Sequence, residues 1–300
     1  MDQLRDRIIK EFGPYGFKYF RETIWSSSLQ QVDLPRVRSF LLKNNFNHID
    51  VSLIIPQNEE TCRMRWSTHY QQSGQCVSSM HKVPIPAGSN HLKLTFCYTT
   101  SDVRHNSQAQ TVVVANALRL VFGVPIAREL IITRYFSEST SASETFSDEG
   151  YASQFDNQEL NMFDNPAIEQ AELIEIPEDA AILLDKSFAQ TFPSERFILM
   201  WLAFEAIIHS VIKEGSNGEK RKAFFEKILK SDIANKEVLR LFKLRCDIFK
   251  EGQVSGQNIE NDCWSLYAAM QLLVMKDCEQ RRAYLLGYES ILKQQDIASK

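Results

Sequence analysis

The sequence has few cysteines, few glycines and no surplus of positive charge, and each shortage closes off a class of protein. Its six cysteines (62, 76, 97, 246, 263, 278) show neither CxxC spacing nor a dense framework. That pattern predicts free thiols in a reducing compartment, not a zinc site or a disulfide scaffold. There is no glycine-rich phosphate loop, no HExxH and no carboxylate cluster, so a metal or nucleotide enzyme in the N-terminal part ranks last. His69, His81, His91 and His105 match no compact metal motif and read as surface or strand residues. The start, MDQLRDRIIKEFG, lacks the apolar core of a signal peptide. The longest apolar run, Phe197 to Ile212, is broken by Glu205 and His209 and is too short to span a bilayer comfortably. With 34 Lys+Arg against 38 Asp+Glu, no global polybasic signature points to nucleic acid. The expectation is a soluble cytoplasmic protein with no cofactor, no metal and no membrane partner.

What is present divides into three. At 300 residues and 44% apolar composition, the chain has material for about two globular domains. Residues 1–136 read as an α+β domain. An amphipathic helix carried by Leu4, Ile8, Ile9 and Phe12 stops at Gly13-Pro14. Strands and turns follow to about residue 100, with Ile49–Ile55, Thr61–Trp66 and His91–Thr99 the clearest strand patterns. Thr111–Phe122 has helical period, Ala127–Phe136 fits helix or strand, and Arg104–Gln108 reads as a loop. Residues 137–177 read as an acidic linker or insertion. From Ser137 to Ala180 there are twelve acidic residues and no Lys or Arg. Ser137 to about Asn165 is too poor in branched apolar residues to order itself. Residues 178–300 read as an all-α bundle with helices near 178–190, 193–213, 218–231, 235–251 and 258–294, the last broken near Asp277.

The bundle carries the chemistry. Lys213 to Lys250 holds eleven basic residues against six acidic ones. Within it, Val238, Leu241, Phe242, Ile248 and Phe249 form an apolar stripe with Arg245 in the middle. A guanidinium there needs a carboxylate or a polyanion. The most apolar helix, 193–213, supplies Glu205, with His209 one turn on. A buried Glu205–Arg245 pair is therefore expected, and it needs no function to explain it.

The run Ser194 to Ile207, a basic helix, Leu239 to Gly252 and a final long helix together resemble a HEPN domain. The similarity is greatest to the ApeA-like HEPN proteins of prokaryotic defence and toxin systems, and it covers about residues 190–294. The resemblance implies a helical bundle that dimerises. It places Arg245 at the motif arginine, Glu205 at the supporting acid, Cys246 where asparagine is usual and Lys250 where histidine is usual, with Gly252 shortly after. An R-x4-K thus replaces R-x4-H. Lysine holds phosphate but serves as a base only when its pKa is strongly depressed, so His209 is the candidate imidazole. Lys220, Arg221 and Lys222 are candidate RNA contacts at the rim.

Two functions follow. One is an RNA-targeting effector, a metal-independent endoribonuclease acting through Arg245, Lys250, Glu205 and His209. The alternative is a non-catalytic module that dimerises or docks a protein partner while the N-terminal domain senses a trigger.

Overall fold

The computed structural model describes residues 2–56, 62–70, 76–84, 90–101, 103–138, 144–146, 155, 170–190, 192–251, 258–276 and 278–298. The chain separates into two compact units, Met1–Asp164 and Asn165–Lys300. It is a mixed α+β protein with a helical C-terminal region.

In the first unit, α1 (Asp2–Phe12) ends in a 3-10 turn at Gly13–Tyr15, whose exit uses Gly16 at φ 89°. That is a left-handed conformation that glycine adopts without strain. Five antiparallel strands form one sheet in the order β2-β5-β1-β6-β7. They are β1 (Tyr19–Ser27), β2 (Ile49–Ile54), β5 (Asn90–Tyr98), β6 (Leu130–Ser137) and β7 (Glu144–Phe146). A separate hairpin pairs β3 (Cys62–Tyr70) with β4 (Cys76–Pro84). Helix α2 (Leu34–Lys43) buries Leu34, Val37, Phe40 and Leu41, and α3 spans Val103–Phe122. Side chains directly opposite in an antiparallel ladder share a face. Phe20, Cys97 and Phe136 thus meet under Ile8, with Phe20 stacked on Phe136 at 4.9 Å. On the same face Glu22 lies between Lys93 at 2.9 Å and Arg134 at 3.3 Å. Opposite them Arg119 sits over the Trp25 ring and donates to the Ala127 carbonyl at 2.6 Å.

Two expectations are corrected. Residues 34–43 interrupt the strand region as a helix, because Leu34, Val37, Phe40 and Leu41 repeat at helical spacing behind Pro35 in the first turn. Residues 104–108 open α3 instead of forming a loop. Ala127–Phe136, open between helix and strand, is largely strand. Most of 137–177 lies outside the described residues.

The second unit contains α4 (Glu178–Phe188), α5 (Pro193–Val211), α6 (Asn217–Lys222), a π-helical continuation at Ala223–Ile228, α7 (Asp232–Glu251), α8 (Ile259–Val274) and α9 (Cys278–Ala298). The break before α9 is made by an extended pair, Leu173 with Met275, while Lys276 N donates to the Glu172 carbonyl at 2.8 Å. Asp277 itself, where the break is expected, lies outside the described residues. Pro193 starts α5 where its missing N–H is harmless. Its buried Phe197, Met200, Trp201, Phe204, Ile207 and Ile208 make it the central helix, packed on α4, α7 and α8. Among the described residues, no helix is long and apolar enough to cross a membrane.

Candidate anion site around Arg221 and Arg245

The site is assembled where α6 turns back onto α5. Ser216 and Glu219 form a capping box: the Glu219 carboxylate accepts from Ser216 N at 2.8 Å, and Glu219 N donates to Ser216 Oγ. These hydrogen bonds from Ser216 hold the Glu219 carboxyl below its ordinary range. Gly215, at φ 96°, supplies the preceding left-handed bend. The box fixes the first turn of α6, which brings Asn217 and Arg221 over Glu205 of α5.

Arg221 Nη1 donates to Glu205 Oε1 at 2.6 Å. The Arg221 side chain is 5% exposed and that of Glu205 16%, so this is a largely buried ion pair. The guanidinium also lies 4.3 Å from the Phe242 ring centroid and 5.6 Å from that of Trp201. Both are cation–π distances. Burial lowers the pKa of Arg221, Glu205 draws it back up, and the neighbouring Arg245 pushes it down again. Asn217 Nδ2 donates to Glu205 Oε2 at 3.1 Å, and Asn217 Oδ1 meets His209 Nε2 at 2.9 Å. One chain of contacts therefore runs from His209 through Asn217 and Glu205 to Arg221.

The expected Glu205–Arg245 pair is thus not the one formed: Glu205 is taken by Arg221. Arg245 is half-buried on α7, close enough to lower the pKa of Arg221, and stacked 4.6 Å from the Phe249 ring centroid. It has no carboxylate partner among the described residues. Buried N–H donors without an acceptor collect here: Arg221 Nε, Arg245 Nε and Trp201 Nε1. Cys246 is half-buried and also interacts with Arg221. Lys250 and Phe249 are exposed near the C-terminal end of α7, and Gly252 lies outside the described residues.

The chain matches no family model, no curated protein and no solved structure. The chemistry must be read from the residues.

Of the three expected rim residues, Arg221 is internal, not a surface contact; its place follows from the two neighbouring aromatic rings it lies against and the acid it pairs with. Lys222 is exposed and sits 3.6 Å from Glu226, one helical turn on, while Lys220 is half-buried. Asn217 is the residue that periodicity does not reveal. Its signal is the Ser216-x-x-Glu219 box, which marks a helix start and places Asn217 one turn before Arg221. A second polar network joins α7, α8 and α9. Arg240 chelates Glu237 at 2.6 Å and reaches Asp262 at 2.5 Å, while Ser265 bonds Glu237 and Tyr288. Its donors and acceptors answer one another, so it reads as a structural clasp. Among the described residues, no group of three His, Cys, Asp or Glu side chains could hold a metal ion.

Proposed function

We propose that the helical unit is a HEPN-like RNA-targeting effector module of a prokaryotic defence or toxin system, in which Arg245 grips an RNA phosphate. The observation that carries this reading is the charge balance around Arg221. Glu205 already serves Arg221, and Arg245 keeps a half-buried guanidinium with no acid paired to it among the described residues. A planar fork of donors in that setting suits a phosphate oxygen pair. Lys250, exposed one turn further along α7, adds a second cation near the helix end.

Cleavage on this site is metal-independent. The 2′-oxygen attacks the adjacent phosphorus as the bond to the 5′-oxygen breaks, giving a 2′,3′-cyclic phosphate and a free 5′-hydroxyl. His209 takes the 2′-hydroxyl proton, and the Lys250 ammonium gives a proton to the departing 5′-oxygen. Imidazole suits that exchange near neutral pH. Arg245 and Lys250 offset the charge that develops on the phosphoryl oxygens. Two copies of the bundle, paired as HEPN domains pair, would bring two such clusters to one cleft.

The test is cleavage of RNA by the purified chain in EDTA, comparing wild type with Arg245→Met, Lys250→Ala and His209→Gln, each checked for folding by circular dichroism. Activity in wild type that falls in all three variants supports the reading. A second reading has its own observation: lysine replaces the motif histidine, and the Nε2 of His209 is already engaged by Asn217. On that reading the module binds RNA or a protein partner without cutting it. Salt-sensitive RNA binding without cleavage, weakened by Arg245→Met, would favour it.

A further inference from the structure

We infer that Asn217 is a positioning residue that fixes His209 as its Nε2–H tautomer, leaving Nδ1 as the one ring nitrogen able to take a proton. The inference rests on the ribonuclease reading for its purpose, but not for its geometry. Glu205 accepts from Arg221 at 2.6 Å and, as the salt-bridge partner of that cation, presents both carboxyl oxygens as acceptors. The Asn217 atom 3.1 Å from Glu205 Oε2 must then be the amide nitrogen. Its carbonyl oxygen is consequently the atom 2.9 Å from His209 Nε2. A carbonyl cannot donate, so Nε2 must carry the hydrogen. For a neutral ring, no other assignment of the amide or the tautomer satisfies both contacts.

This chain of acceptors and donors gives an exposed asparagine a definite task. Asn217 opens α6, and the Ser216–Glu219 box holds it there independently of His209. Glu205 and His209 are spaced one turn apart on α5, so a single amide spans them. The contact to Asn217 persists when Nδ1 takes a proton, because Oδ1 accepts from an imidazolium as readily as from neutral imidazole. A base that must cycle between the two states keeps its orientation throughout.

The experiment is nitrogen NMR on full-length chain labelled with 15N-histidine, at a pH where imidazole is neutral, for wild type and Asn217→Leu. His209→Gln assigns the signals, and circular dichroism checks folding. The expected result is a single wild-type tautomer protonated on Nε2, replaced in Asn217→Leu by a mixture of the two tautomers. RNA turnover is read beside it, with kcat expected to fall about tenfold or more in Asn217→Leu at unchanged KM. A proton on Nδ1 in wild type, or a spectrum that Asn217→Leu leaves unchanged, overturns the inference. The expected tautomer shift in a wild type that cuts no RNA supports the role of Asn217 and overturns the ribonuclease reading.

Discussion

Removing the carboxylate from Glu205 should destabilise the helical unit far more than removing the charge from Arg245. In Glu205→Gln the Arg221 guanidinium, 5% exposed and held over Phe242 and Trp201, keeps its charge and loses its counter-ion. Breaking one side of a buried pair costs about 3–5 kcal/mol. Two features bring this case to the lower end, about 3 kcal/mol. Glu205 is itself 16% exposed, which admits some solvent, and two aromatic faces continue to attract the cation. Arg245→Met removes a half-buried cation whose described contact is one aromatic ring, a loss of about 0.5–1 kcal/mol. Urea unfolding followed by circular dichroism would separate the two, with the midpoint falling clearly for Glu205→Gln and slightly for Arg245→Met. A double-mutant cycle of Glu205→Gln with Arg221→Met should recover a large coupling, and the same cycle with Arg245→Met should recover little. Equal couplings, or a larger one for Arg245, would refute the assignment of Glu205 to Arg221.

Three other outcomes follow from the packing. In the first unit, Glu22→Gln should cost about 3 kcal/mol or more by leaving Lys93 and Arg134 without their shared acid, whereas Lys93→Met should cost less because Arg134 stays on Glu22; thermal unfolding of the two variants checks the order. Ser231→Ala should cost about 1–2 kcal/mol, since Ser231 Oγ accepts from Ala234 N at 3.1 Å at the start of α7 and donates to Glu289; denaturant titration reads it. Burial pushes the Cys97 thiol up to about 12 from an ordinary 9.0, and the Tyr284 hydroxyl up to about 12 from 10.0. A group whose folded pKa is raised contributes stability fully below its unfolded value and loses it as pH rises through the folded one. Stability should therefore hold to about pH 9 and fall steadily toward pH 12, and unfolding midpoints across that range would show it.

The helical unit is legible in the sequence because its signals are local. The apolar run of α5 and the stripe of α7 repeat at 3.6 residues, and each falls within a helix. Even there the stripe overreaches: Phe249 fits the pattern but is 53% exposed. The first unit is less legible. Its central strand, β1, is buried along nearly its whole length, so Tyr19–Ser27 alternates weakly and includes Arg21 and Glu22. Those charges are tolerated because Lys93, Arg134 and the Tyr135 ring meet them across neighbouring strands. Such partners lie about seventy and more than a hundred residues away, beyond the reach of any local pattern.

The misplaced ion pair has the same origin and the larger consequence. Period places Glu205 and Arg245 on core-facing stripes, and a buried acid facing a buried base is the economical reading. Period is silent about Arg221, because α6 is only six residues long and runs directly into the π segment. What decides the pairing is the Ser216–Glu219 box, which starts α6 early enough to lay Arg221 across Glu205 with Phe242 on its other side. Once that acid is spent, the two arginines are no longer alternatives. Arg221 becomes the structural cation, and its positive charge lowers the benefit of placing another beside it. Arg245 is held there nevertheless, half-buried and without an acid among the described residues. An external anion is the simplest means of relieving that repulsion. On the proposed reading, the phosphate of a bound RNA supplies that anion.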